Sequence, residues 1–223
     1  MNETWRVQCD FDGTISLADV TDSLLERFGQ PGWHELEAAW ERGDIGSREC
    51  MRGQIALLDM SEHELAAHLD TIAIDPFFVD FVRTAQSLGL PVEVISDGMD
   101  RVIRSILQRH GLGDLPVSAN HLVQVGERRW ALESPYAKAS CTRASGTCKC
   151  ACLAVHHQDG AAVLFVGDST SDFCVSGKAD YVFAKSRLID YCEAERIPFA
   201  PIADFGVALA LLADVIEPAR ISA

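Results

Sequence analysis

No run of about eighteen apolar residues occurs in this chain of 223, so the sequence offers no membrane-spanning helix. Positive charge is scarce as well. Nineteen Lys and Arg stand against 33 Asp and Glu, for a net charge of -14 and a pI near 4.8, a balance that repels a phosphate backbone wherever no local basic patch intervenes. Nucleic acid is therefore not expected as a partner. Internal repeats and low-complexity tracts are missing, which argues against a repeat architecture. Met1 to Arg6 lacks the basic and apolar regions of a secretory signal, and a cytoplasmic location is expected. The eight cysteines are accordingly read as thiols or metal ligands rather than as a disulfide framework.

What the chain does have is 48% hydrophobic content, enough for a buried core, in a length that suits one domain with an insertion or two unequal domains. Three short apolar runs each end in small polar or acidic residues. Trp5 to Cys9 runs into Asp10-Phe11-Asp12-Gly13-Thr14, Pro91 to Ile95 into Ser96-Asp97-Gly98, and Ala162 to Val166 into Gly167-Asp168-Ser169-Thr170-Ser171-Asp172. In an open parallel sheet, ligands bind beyond the carboxyl ends of the strands, so three such ends can converge on one crevice. Asp10 and Asp12, two carboxylates around a turn with free amides and carbonyls, can hold a cation and a phosphate together. The plain alternative is an acidic turn, with Gly13 for its backbone and Thr14 as a cap.

Between Thr14 and Asp75 the pattern is helical. Helices are expected over Val20 to Phe28, Trp33 to Arg42 and Ser47 to Leu58, with a capping box at Ser61-Glu62-His63-Glu64 opening a fourth. Phe77 to Leu88 then leads back to the Pro91 strand, and Met99 to His110 forms the next helix. Val117 to Val125 and Arg129 to Leu132 read as a hairpin flap, Ser134 to Thr147 as a loop and Lys149 to His157 as a helix. Tyr181 to Ala184 and Ala208 to Ile216 are expected as the last strand and helix.

In order and strand context these motifs resemble the haloacid dehalogenase superfamily, in its phosphoserine-phosphatase-like branch. Asp10-Phe11-Asp12-Gly13-Thr14 matches the first motif, Ser96 the second, Lys149 the third, and Gly167-Asp168 through Asp172 the fourth. The resemblance implies an α/β fold: a Rossmann-like parallel core formed by residues 1–15 and 77–223, with an inserted helical-bundle cap over 16–76. Ser96-Asp97-Gly98-Met99-Asp100 and the stretch ending Cys148-Lys149 are most similar to the phosphatases of methionine salvage, which act on 2-hydroxy-3-keto-5-methylthiopentenyl-1-phosphate.

A phosphatase of this family would attack with Asp10, forming an aspartyl-phosphate, while Asp12 protonates the leaving oxygen and later deprotonates water. Two carboxylates facing a phosphate require an intervening cation, and Mg2+ is expected on Asp10, the Asp12 main-chain carbonyl and Asp168. Asp172 is expected behind that site, also capping the following helix. Ser96 and the amide of Asp97 or Gly98 would bind the phosphoryl oxygens at a helix N-terminus, and Lys149 would neutralise their charge.

The partner implied is a small phosphorylated metabolite. Phosphoserine phosphatases hold their amino acid with an acidic residue after the first motif and a cap arginine. Asp19 fits the first place, but Gln54 stands where the arginine would fall, with Arg52 nearby. Asp97 replaces the glycine usual in both groups. Met51, Met60, Phe77 and Met99 suggest an apolar wall suited to a methylthio group, or simply core. Phosphoserine and other small phosphates, a phosphomutase, and a non-catalytic metabolite-binding regulator are the competing readings. Cys141, Cys148, Cys150 and Cys152 lie within twelve residues, but the single-residue spacings from Cys148 to Cys152 are shorter than those of zinc knuckles.

Overall fold

A computed structural model describes residues 4–221, with side chains from 4 to 216. The chain begins with β1 (Thr4–Cys9), whose inner half is fully buried. Four helices follow: α1 (Val20–Phe28), α2 (Trp33–Glu41), α3 (Ser47–Ala56) and α4 (Glu62–Leu69). The capping box at α4 is formed as its sequence predicts, with Ser61 Oγ accepting from Glu64 N and the Glu64 carboxylate accepting from Ser61 N. The helical stretch leaves and rejoins the rest at one place. Ser16 bridges to Ile74, Leu17 N donates to Ala73 O at 3.1 Å, and Asp75 N donates to Ile15 O at 2.8 Å.

After α5 (Phe78–Ser87) come β2 (Val92–Met99), α6 (Asp100–Arg109), β3 (Val117–Gln124) and β4 (Trp130–Glu133). The chain then runs through α7 (Lys149–Gln158), β5 (Ala161–Gly167), a 3-10 turn (Thr170–Asp172), α8 (Phe173–Ser176), β6 (Tyr181–Ala184), α9 (Ser186–Glu195), β7 (Phe199–Pro201) and α10 (Phe205–Ile221). The seven strands form one sheet in the order β4-β3-β2-β1-β5-β6-β7, parallel throughout except for β4.

β5 shows how the sheet is held between helices. All seven of its residues are buried, and their side chains alternate between two clusters. Leu164 and Val166 join the large cluster that contains Phe78 and Phe81 of α5 and Phe205 and Leu212 of α10, while Val163 and Phe165 pack with Leu153 of α7 on the other face. A continuous apolar run is what a strand covered on both sides requires. No described helix is long and apolar enough to cross a membrane.

Several boundaries differ from those the sequence suggests. Strand β2 continues to Met99, so Ser96, Asp97 and Gly98 are among its last residues and not at a helix N-terminus; α6 starts at Asp100. Tyr181 to Ala184 is not the last strand, because the three-residue β7 pairs beside it and is too short to announce itself. The hairpin of β3 and β4 is no free flap. It forms the sheet edge and packs on the helical stretch, with Trp130 Nε1 donating to Met60 O at 2.9 Å.

Candidate active site

Strand order reverses around β1: the chain builds outward through β2 and β3 on one side and through β5, β6 and β7 on the other. The carboxyl ends of β1, β2 and β5 meet at that switch point, where a crevice opens by topology alone. Asp10 and Asp12 follow β1, Ser96 to Gly98 end β2, and Asp168 follows β5. Three glycines leave room for three carboxylates. A Cβ on Gly13, whose φ is +72°, would come within 2.6 Å of Asp168 Oδ2; on Gly98, within 2.6 Å of Asp12 Oδ2; on Gly167, within 2.5 Å of Asp172 Oδ2.

Lys149, the first residue of α7, reaches into this crevice from below. Its Nζ lies 2.8 Å from Asp10 Oδ1 and 2.6 Å from Asp172 Oδ1, and its side chain is 3% exposed. A cation so deeply buried is tolerated only when paired. Burial alone would lower its pKa, but the charges of Asp10 and Asp172 outweigh that and hold it above its ordinary value. Asp10 Oδ1 also accepts from Phe11 N at 2.7 Å, which fixes the carboxylate. Burial and the nearby Asp172 charge push the Asp10 pKa well above the usual carboxylate range, with Lys149 opposing.

Asp12 Oδ1 accepts from Val20 N at 2.9 Å, at the start of α1. Loss of hydration, and then the charge of Asp19, push its pKa up to about 8. Asp168 Oδ1 accepts from Thr14 Oγ1 at 3.0 Å, and burial followed by the Asp172 charge raises it to about 6. Asp10, Asp168 and Asp172 each present an oxygen within 4.8 Å of the others, the one such grouping among the described residues. The donors are all hard oxygens, and carboxylates destabilised by mutual repulsion gain most from a divalent cation, so the residues fit magnesium. Asp172 is already spoken for. Oδ1 holds Lys149, while Oδ2 accepts from Asp168 N at 2.9 Å and Ser169 N at 3.2 Å.

A cavity of about 200 Å³ opens above these groups. Asp10, Asp12, Asp19, Ser96, Asp97 and Gly98 line it, so most residues singled out in the sequence come together. Asp19 also caps α1, accepting from Asp22 N at 3.0 Å. Ser96 Oγ, 1% exposed in its residue, accepts from Gly98 N at 2.9 Å. Arg52 does not reach the cavity. It is exposed and lines a separate depression with Arg48, Glu49 and Ser134, because its position on α3 faces away from Gln54. Gln54 does line the cavity, donating to Glu37 Oε2 at 2.7 Å. Of the suggested apolar wall only Met51 lines it; Met60 and Met99 are buried in the core, and Phe77 is 44% exposed. The four clustered cysteines form no metal grouping among the described residues. Cys150 Sγ instead contacts Cys174 Sγ at 3.3 Å, and all eight cysteines are free.

Other participants had no sequence signal. Trp40 and Glu37 of α2 and Arg143 and Ser145 of the loop before α7 also line the cavity. Arg143 donates to Thr170 O at 3.3 Å, closing that loop over the turn after β5. Lys185, nearly buried after β6, donates to Thr14 O at 3.0 Å and props the β1 turn from beneath.

Residues 7–176 match the family model of haloacid dehalogenase-like hydrolases. A 2-hydroxy-3-keto-5-methylthiopentenyl-1-phosphate phosphatase of an Exiguobacterium species is 31% identical over 202 residues, 90% of this chain and 93% of that protein. One of the same name from Lysinibacillus sphaericus is 27% identical, covering 94% of each chain. A substrate-bound phosphoserine phosphatase complex superposes with a TM-score of 0.70 at 17% identity, covering 94% of this chain and 98% of the other. A phospho-aspartyl intermediate analogue of phosphoserine phosphatase gives 0.67, also at 17% identity, covering 91% and 94%. With its α/β sheet, its acidic strand ends and its buried lysine, the chain belongs to the haloacid dehalogenase-like hydrolases, in their phosphatase branch.

Proposed function

We propose that the protein is a magnesium-dependent phosphomonoesterase that cleaves a small organic phosphate through an aspartyl-phosphate on Asp10. The observation that carries this reading is the buried Lys149 ammonium between Asp10 and Asp172, beside Asp168 and below an open cavity. An ion pair at the floor of a crevice serves the fold poorly, since burying it costs about as much as it returns. It serves phosphoryl transfer well, because charge on Asp10 and on an incoming phosphate is neutralised in advance.

A carboxylate oxygen of Asp10 attacks phosphorus in line. The bond to the leaving oxygen breaks, and that oxygen takes the proton of Asp12. Water then attacks the acyl phosphate, Asp12 accepts the water's proton, and inorganic phosphate leaves with Asp10 restored. Ser96 Oγ and the amide of Asp97 would hold the phosphoryl oxygens, with the Gly98 amide, which donates to Ser96 Oγ, orienting that hydroxyl. Magnesium, held by Asp10, the Asp12 carbonyl and Asp168 and supported from behind by Asp172, would supply charge neutralisation to the phosphoryl group. In this reading 1–15 and 77–223 form the catalytic core and 16–76 a cap, and the enzyme works in the cytoplasm.

For the substrate we favour the salvage enol-phosphate named for its relatives. Trp40, Cys50 and Met51 give the cavity an apolar side for a methylthio tail, and the Gln54–Glu37 pair offers polar groups to a hydroxyl and ketone. The test is phosphate release from the enol-phosphate, phosphoserine, phosphoethanolamine and sugar phosphates, with magnesium and with chelator. Selective, magnesium-dependent release from the enol-phosphate is expected. A preference for phosphoserine would overturn the substrate, and silence across the panel would overturn the activity.

A further inference from the structure

We propose that Asp97 is a positioning residue: its carboxylate clasps the start of α3 to the sheet and so sets one wall of the substrate cavity against Asp10 and Asp12. The proposal rests on the phosphatase reading above. Its two oxygens gather donors from three distant segments. Oδ2 accepts from Ser47 Oγ at 2.8 Å; Oδ1 accepts from Thr147 N at 2.8 Å and from Asn120 Nδ2 at 3.1 Å. Ser47 is the first residue of α3, Asn120 belongs to β3, and Thr147 stands two residues before Lys149.

Asn120 is fully buried and also donates to the Asp97 carbonyl at 2.5 Å, so backbone and side chain of Asp97 are held together. A second tie runs beside the first. Arg48 N donates to Ala144 O at 3.0 Å, from the next residue of α3 to the loop that Thr147 ends. The helix so anchored carries Cys50, Met51 and Gln54 into the cavity. Where Asp10 and Asp12 stand is decided by the sheet; where those three stand is decided by α3.

An extra anion within the lining of a phosphate site is unfavourable unless donors absorb its charge. Here every donor named is spent on the clasp, not on a ligand. Charge-assisted hydrogen bonds of this kind are also the stronger ones.

Ser47 also lines the cavity, so Ser47→Ala removes the α3 end of the clasp together with one lining hydroxyl, and leaves all proposed catalytic groups in place; the exchange rates below separate the two effects. We expect it to raise KM for the enol-phosphate about tenfold, the size of one lost hydrogen bond to a charged group, with kcat changed less than about threefold. Ser47→Thr, which keeps the hydroxyl, should restore wild-type KM. Combining Ser47→Ala with Asp97→Gly should add nothing to Asp97→Gly alone, the signature of two groups acting through one contact. Independently of turnover, α3 amides should exchange with solvent about tenfold faster in Ser47→Ala. Unchanged exchange, or additive effects in the double variant, would overturn the clasp. Should the wild type hydrolyse no probe, the phosphatase reading fails, and the exchange rates alone decide the clasp.

Discussion

Asp12 is the residue whose environment makes the sharpest demand on the mechanism. A group that protonates the leaving oxygen must itself carry a proton at working pH, and loss of hydration together with Asp19 raises Asp12 to about 8. The cleavage step should therefore slow with rising pH as Asp12 ionises, along a limb at or below about pH 8, since a bound cation favours the anion. Single-turnover release of the alcohol at saturating magnesium measures this step, and the limb should vanish in Asp12→Asn. The paired aspartates could be read from the sequence because they are two residues apart. Lys149 could be placed only through family resemblance, since its partners lie 139 positions before it and 23 after. Lys185 and Arg143 have no local signal: Arg143 bonds a main-chain carbonyl 27 positions on, and Lys185 reaches the Thr14 carbonyl, Asp75 and the Phe205 ring, all distant in sequence.

At the scale of elements, the strand ends work because glycine lets them crowd. Gly98 leaves space that the Asp12 carboxylate occupies, and a methyl there would stand 2.6 Å from Oδ2. Gly98→Ala should thus lower kcat about a hundredfold, the cost of displacing a catalytic group by about an ångström. Its far-ultraviolet circular dichroism should match the wild type. Most helices were legible from apolar spacing and stop signals, and the α4 capping box from four consecutive letters. β7 and the far end of β2 were not, because three residues carry too little pattern and because Ser96-Asp97-Gly98 reads locally as a turn. On α3 the aligned position, Gln54, faces the cavity, whereas Arg52, two positions away and so about 200° around the helix, faces a separate depression.

Taken whole, the molecule accepts an electrostatic cost at its switch point. Asp10, Asp12 and Asp168 all have pKa values raised by folding, so the folded state holds protons there more readily than the unfolded one. Their contribution favours the fold at low pH and is lost as pH rises through about 6 for Asp168 and about 8 for Asp12. A cation that binds only the folded state reverses that loss. Magnesium should accordingly raise Tm more at pH 8 than at pH 5.5, and an equal rise at both would argue that it binds elsewhere. The sheet order that creates this site was not itself readable, yet the parallel class was, from apolar runs alternating with helical ones.

The central claim is that Asp10 becomes covalently phosphorylated. Mixing enzyme with the enol-phosphate, quenching in acid and reducing with borohydride converts an aspartyl-phosphate to homoserine, which peptide mass spectrometry locates. Homoserine at position 10, absent without substrate and absent in Asp10→Asn, is the result predicted. Full phosphate release by Asp10→Asn, or turnover in the wild type with position 10 never modified, would contradict it.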